Sequence, residues 1–217
     1  MSKTLTRFDE VTRSLSHVKF MTERQALVLR SLIEETEAQD ILEIGFYRGK
    51  SSAYIGAILE DRGKGSLLTI DRRSGAARKP GIADLLRRMS LEHRVTPVFA
   101  HRSFTWELQK LIADGAGARF DFCYFDGGHT WDDTGFGFLL VHLLLRPGEV
   151  ILFDDMNWTI EHSSSYSKKK ELLETFSPDE RTAPTVRRVW DLILPTLGYT
   201  DQREITDLGW AMARKPC

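Results

Sequence analysis

The chain has 217 residues, 41% of them hydrophobic and 28% charged, which suits a single globular domain with a core large enough to need no disulfide or metal staple. Thirty Lys and Arg against 31 Asp and Glu leave a net charge of −1, so no general pull toward nucleic acid or an anionic membrane is expected. No apolar run approaches the roughly 18 residues of a spanning helix, the polar start MSKTLTRFDEVTRS lacks the apolar stretch of a signal peptide, and Cys123 and Cys217 alone make no disulfide framework; a cytoplasmic protein is the expectation.

Residues 1–38 read as an N-terminal helical segment, in which 23–38 is amphipathic: Ala26, Leu27, Leu29, Leu32 and Ile33 are apolar while Glu34, Glu35 and Glu37 face out. Five short apolar runs follow, at 41–45, 66–71, 95–100, 120–126 and 149–154. They are apolar on consecutive positions, as strands covered on both faces are. Between them, 51–60, 82–90, 104–113 and 130–144 carry helical spacing. This alternation predicts a Rossmann-like, doubly wound α/β sheet, mostly parallel, with helices on both faces. Residues 185–194, between Pro184 and Pro195, read as another helix. Two terminal runs, 197–205 and 208–214, predict a hairpin that adds antiparallel strands, seven strands in all. The irregular stretch 157–184, with a short helix around 169–175, reads as a lid or insert within one domain spanning 1–217.

Ligands of an open parallel sheet bind beyond the carboxyl ends of its strands. After the first strand comes EIGFYRGKS, residues 43–51. Glycines there permit a tight turn and close backbone approach, and the following helix aims free N–H groups at a ligand. The Gly-x-x-x-Gly spacing is neither a dinucleotide fingerprint nor a triphosphate loop, since the earlier glycine of the latter would fall at Ile44. The second strand ends in Asp71, an acid placed to accept both hydroxyls of a ribose. It reads equally as a turn residue before RRSG. The fourth strand ends in Asp126, within DGGHTW, and the fifth in Asp154 and Asp155. Neighbouring strands lie about 5 Å apart, so these acids repel one another unless a hard divalent cation neutralises them, and Mg²⁺ suits such oxygen donors. His129 stands where the next helix begins and is a candidate general base. His101 is less informative, and His17, His93, His142 and His162 show no ligand spacing.

From Phe20 to Asp155 these motifs resemble the class I S-adenosylmethionine-dependent methyltransferases, and among them the metal-dependent small-molecule O-methyltransferases of the catechol and natural-product types. The resemblance implies that Glu43, Gly45, Tyr47, Gly49 and Ser51 hold the methionine portion of the cofactor, Asp71 its ribose, and Ser103 its adenine, with Met21 and Thr22 closing over it. It makes Asp126, Asp154 and Asp155 metal ligands. The catechol type carries a lysine base three positions beyond the first ligand; this chain has His129 there. Other relatives use an Asp two positions beyond, where this chain has Gly128. The implied reaction is methyl transfer to a hydroxyl of a catechol, phenol or sugar-like diol, with His129 and Asp126 at the reacting centre. Trp131, Trp158 and Tyr166 would wall the pocket. The leading helix and the lid could pair two subunits. The rival readings are a metal-independent methyltransferase, a nicotinamide-dependent oxidoreductase on a related sheet, and a non-enzymatic partner that keeps the fold.

Overall fold

A computed structural model describes residues 5–217; residues 1–4 of the N-terminal segment lie outside the described part. Five strands, β1 (Asp40–Ile44), β2 (Ser66–Arg72), β3 (Val95–Ala100), β4 (Phe120–Phe125) and β5 (Leu145–Phe153), are parallel. Two more, β6 (Thr200–Ile205) and β7 (Trp210–Arg214), complete a seven-stranded sheet of order β3-β2-β1-β4-β5-β7-β6. The terminal hairpin enters by β7, which runs antiparallel to β5. This leaves β6 as the outer strand, exposed along almost its whole length and bearing Asp201, Arg203 and Glu204, charges that blunt a free sheet edge.

The apolar runs are strands for the reason their pattern suggests. Ile41, Leu42 and Ile44 are fully buried because helices cover both faces. On one face lie α1 (Arg7–Ser14), α2 (Glu23–Glu35), α3 (Lys50–Asp61) and α4 (Ile82–Met89); on the other lie α5 (Phe104–Ala113), α6 (Trp131–Leu144) and, beyond the lid, α9 (Thr185–Leu192). The lid holds two short helices, α7 (Lys170–Leu173) and α8 (Pro178–Thr182). The second of these is started by Ser177, whose side chain accepts from the Glu180 N–H, with Pro178 in the first turn.

Several features differ from the sequence reading. The first strand of the terminal hairpin begins at Thr200 and not at 197, because a 3-10 turn occupies Pro195–Leu197, and α8 is a second lid helix where one was expected. Within the N-terminal segment, α1 is a separate helix. Thr6 and Asp9 form a capping box at its start, and Asp61, at the far end of α3, accepts the Arg7 and Phe8 N–H groups at 2.7 and 3.0 Å. The fifth strand begins at Leu145, four residues before the apolar run, because Leu145 pairs with Phe120 across a bulge.

Register fixes the site. Ile44 lies beside Ile70 and Phe125, and Phe125 beside Phe153. The residues that follow these in register, Gly45, Asp71, Asp126 and Asp154, therefore emerge along one edge of the sheet.

Candidate active site

The loop after β1 and the loop after β4 touch. Gly45 has φ +88°, and a Cβ there would sit 2.1 Å from the carbonyl oxygen of Asp126. Only glycine permits both the backbone conformation and that approach. The turn continues through Tyr47, itself left-handed at φ +48°, to Gly49, which starts α3 without any side-chain cap. The first N–H groups of α3 therefore have no side-chain acceptor and face the mouth of the turn.

Beneath the turn, Glu43 is fully buried. Its Oε2 accepts from the hydroxyls of Ser52 and Thr69, while Oε1 has no partner. Burial pushes its carboxyl up to about 7, against the stabilising pull of those hydroxyls. Asp71 is organised by backbone: its Oδ2 accepts from the Tyr47 N–H at 2.7 Å and its Oδ1 from the Arg72 N–H at 2.6 Å. Each oxygen keeps a lone pair for a further donor. Arg78 lies against the same carboxylate at 3.6 Å, donates to the Tyr47 carbonyl at 2.9 Å, and sits 4.3 Å from the centre of the Tyr47 ring. Phe20 meets the same ring edge-on at 5.0 Å. Ser103 caps α5, accepting from the Thr105 N–H at 3.2 Å, on the β3 side of Asp71.

Met21 is buried with φ +49°, and Thr22 caps α2, exchanging hydrogen bonds with Gln25. Both line a cleft of about 360 Å³ together with Lys50 and Tyr54. The Lys50 ammonium donates to the Val18 carbonyl at 2.9 Å and ties this linker to the start of α3. Sequence reasoning missed Lys50 and Arg78, since long cations without a fixed spacing give no local signal.

The acid cluster lies beside this cradle. Asp126, His129 and Asp155 each place a ligand atom within 4.8 Å of the others. The His129 Nε2 lies 3.1 Å from Asp155 Oδ2 and 3.7 Å from Asp126 Oδ1, with directions that make ion pairs rather than well-formed hydrogen bonds. Asp155 reaches the cluster from a left-handed backbone, φ +56°, a strain that persists where surrounding structure imposes it. Asp154 is placed differently. Its Oδ2 accepts from the buried Tyr124 hydroxyl and its Oδ1 from the Asp155 N–H at 2.6 Å. It stands behind the cluster rather than in it, and Tyr124 is a third residue the sequence reading missed. Gly128, with φ +65°, has no room for a side chain: a Cβ would meet Asp133 and the Phe104 ring at 2.8 Å. A carboxylate at that position is excluded by packing.

Burial and mutual repulsion leave these acids short of positive charge. Burial raises Asp126 to about 6, and burial with the charges of Asp126 and Asp155 raises Asp154 to about 8. His129 is the counterpart: burial works against its cation, yet Asp126 and Asp155 lift it to about 10. Its ring stacks on Trp158 at 5.3 Å, and the contact chain runs on from Trp158 to Tyr166 and from Tyr166 to Phe176. The lid is thus joined to the cluster by aromatic side chains. Trp131 starts α6 and is exposed. Four of the other five histidines make polar contacts of their own, His93 with Glu60, His101 with Arg73, His142 with Tyr199 and His162 with Thr159.

A family profile described as a methyltransferase domain matches residues 42–156, just over half of the 217. Comparison of the sequence with curated proteins returns no match. Among solved structures, the fold is shared with the O-methyltransferase of Bacillus cereus in complex with SAH, at 22% identity and a TM-score of 0.65 over 96% of this chain and 90% of that one. It is shared with TomG of Streptomyces achromogenes, an O-methyltransferase involved in tomaymycin synthesis in complex with SAM, at 20% identity and 0.62 over 99% and 92%. It is shared too with the methyltransferase MycE of the mycinamycin pathway in complex with Mg, SAH and mycinamycin VI, at 16% identity and 0.60 over 98% of this chain and 55% of that one. The matched segment runs from β1 through the acid cluster, and the seven-stranded order holds around it: the chain belongs to the methyltransferase domain family, on the class I fold.

Proposed function

We propose that the protein transfers a methyl group from S-adenosylmethionine to a hydroxyl of a small molecule, a catechol, phenol or sugar-like diol, with a divalent cation, Mg²⁺ by preference, at the acid cluster. One observation carries the reading: the Gly45 turn packs directly against the Asp126 backbone, so the cradle for the donor and the cluster for the acceptor share a wall. The neighbours crystallised with SAM or SAH, and MycE with Mg as well, support the same assignment.

The residues present fit the cofactor. Asp71 has free lone pairs for two ribose hydroxyls, the start of α3 offers N–H groups to a carboxylate, and Ser103 stands on the adenine side. Glu43 supports the turn from below. Met21 and Thr22, on the linker that Lys50 ties to the start of α3, would close over the cofactor from that side. The donor set also fits a hard cation: Asp126 and Asp155 converge, Asp154 stands behind them, and burial pushes Asp126 and Asp154 toward neutrality. When bound there, the cation supplies Lewis-acid polarisation of a substrate hydroxyl and, by neutralising the acids, returns His129 toward an ordinary imidazole.

The protein's own side chains do the rest. The sulfonium methyl is already electrophilic, so the chief task is to align the acceptor oxygen with it. Asp126 and Asp155 orient the hydroxyl, and His129 Nε2 accepts its proton. Trp158, stacked on His129, excludes water from that proton transfer.

A second reading has its own observation. His129 already lies between Asp126 and Asp155 and, lifted to about 10, is cationic at neutral pH. In a metal-independent enzyme it would be the permanent counter-ion and not the base. The family assignment removes the nicotinamide reading. Assay of catechol, phenol and diol acceptors with labelled S-adenosylmethionine, with and without chelator, separates the rest. Loss of turnover in chelator and recovery with Mg²⁺ is expected. Full turnover in chelator removes the cation, and an inability to bind S-adenosylhomocysteine removes the whole reading.

A further inference from the structure

Helix α6 is apolar on every side. No Asp, Glu, Lys or Arg occurs between Asp133 and Arg146, and the single titratable side chain of that stretch, His142, faces the Tyr199 hydroxyl. A helix apolar all round belongs inside a protein. Yet α6 covers the sheet with one face only, and its outer face carries Phe136, Leu139 and Leu143 at 56%, 40% and 55% exposure. These positions, spaced three and four apart, form one stripe down two turns. Trp106 on the flanking α5 and Leu192 on the flanking α9 are exposed at 63% and 55%. The same three-helix layer thus presents apolar side chains across its width.

We propose that this layer is the interface of a homodimer in which two copies pack through α6 about a two-fold axis near Leu139. The area suits that occupant. Five large side chains of about 200 Å² each, roughly half exposed, offer on the order of 500 Å² of apolar surface per copy before the surrounding rim is counted. A standard interface buries about 800 Å² per partner. The stripe is also its own complement: with two α6 helices antiparallel, Leu139 meets Leu139, Phe136 meets Leu143, and no charge is trapped between them. A lipid surface suits it less. An interfacial helix needs Lys or Arg flanking its apolar face, and the stripe starts instead at Asp132 and Asp133, which an anionic surface repels. The inference stands apart from the methyl-transfer chemistry, because Phe136, Leu139 and Leu143 supply no group to the acid cluster.

The test is sedimentation of the full chain at micromolar concentration. The expected result is twice the chain mass of 24.8 kDa. Leu139→Glu, which sets like charges against each other at the axis, is expected to weaken the dimer at least about 100-fold while the circular dichroism spectrum is unchanged. Should that variant not fold, Leu139→Cys in a Cys217→Ser background decides the matter, with cross-linking of one copy to another by a short bis-maleimide expected. A monomeric wild type overturns the proposal. So does a dimer untouched by Leu139→Glu, an uncross-linked Leu139→Cys protein, or a monomer that sediments with anionic vesicles.

Discussion

Around Gly45 and Asp71 the turn and the carboxylate are set by backbone, with Arg78 and Phe20 packed on the outside; around Trp158, Tyr166 and Phe176 the contacts are made by side chains. On the first side, positive φ angles at Gly45, Tyr47 and Gly49 fold a short turn, and two main-chain N–H groups hold the Asp71 carboxylate. On the second, a 28-residue excursion with two short helices reaches the cluster by one stacked ring on His129. Backbone contacts are indifferent to most substitutions and so suit a part that every reaction of the fold shares. Side-chain contacts on a loop are exchanged easily and suit the part that selects an acceptor.

Four substitutions break or sharpen that contrast, from the largest expected effect to the smallest. Asp126→Ala removes the residue that joins the two sides. Turnover should fall at least about 1,000-fold, while calorimetry with S-adenosylhomocysteine stays within a few-fold of wild type. Glu43→Gln tests the support beneath the turn. The wild-type carboxyl titrates near 7 in the fold because burial favours its neutral form. Unfolded, it titrates at an ordinary carboxylate value, so Glu43 should contribute a decline in stability of about 3 kcal/mol as pH rises from about 4.5 through about 7. Thermal melts from pH 5 to pH 8 should fall less steeply in Glu43→Gln than in the wild type by about that amount, the rest of the decline belonging to Asp126 and Asp154, which burial also raises. Asp71→Ala deletes charge-assisted bonds to the cofactor and should weaken S-adenosylhomocysteine binding by about 10- to 100-fold, with kcat nearly restored at saturating donor. Trp158→Ala should raise the acceptor KM about 10-fold and leave donor binding unchanged. If Trp158→Ala weakened donor binding as Asp71→Ala does, the division between the two sides would be wrong.

The same contrast explains what the sequence revealed. Strands covered on both faces are continuous apolar runs, so β2 and β3 were legible to within a residue of their ends. The residue that follows such a run must lie at the sheet edge, which made Asp71, Asp126 and Asp154 candidates from order alone. Direction was not legible. Asp154 and Asp155 are adjacent, yet one turns back to the Tyr124 hydroxyl and the other, by its left-handed φ, forward to His129. Spacing carries no sign of either turn. Nor does it show that His129 is held as a cation by its neighbours, because that follows from the carboxylates of Asp126 and Asp155, brought together from two strand ends, prevailing over the opposing effect of burial. Arg78 and Lys50 depend on long flexible side chains finding acceptors distant in sequence. The helix α1 was obscured because its capping signal, Thr6 to Asp9, sits in a polar stretch.

The central claim is that Asp126 and Asp155 hold a divalent cation beside the donor, and it is testable without knowing the acceptor. Titrate Mn²⁺ into the S-adenosylhomocysteine complex and count bound ions by electron paramagnetic resonance, in the wild type and in Asp126→Asn. One site per chain that disappears in the variant, with nucleoside binding intact, is the result expected. No site in the wild type, or the same site in both proteins, contradicts it and leaves His129 as the cluster's only counter-ion.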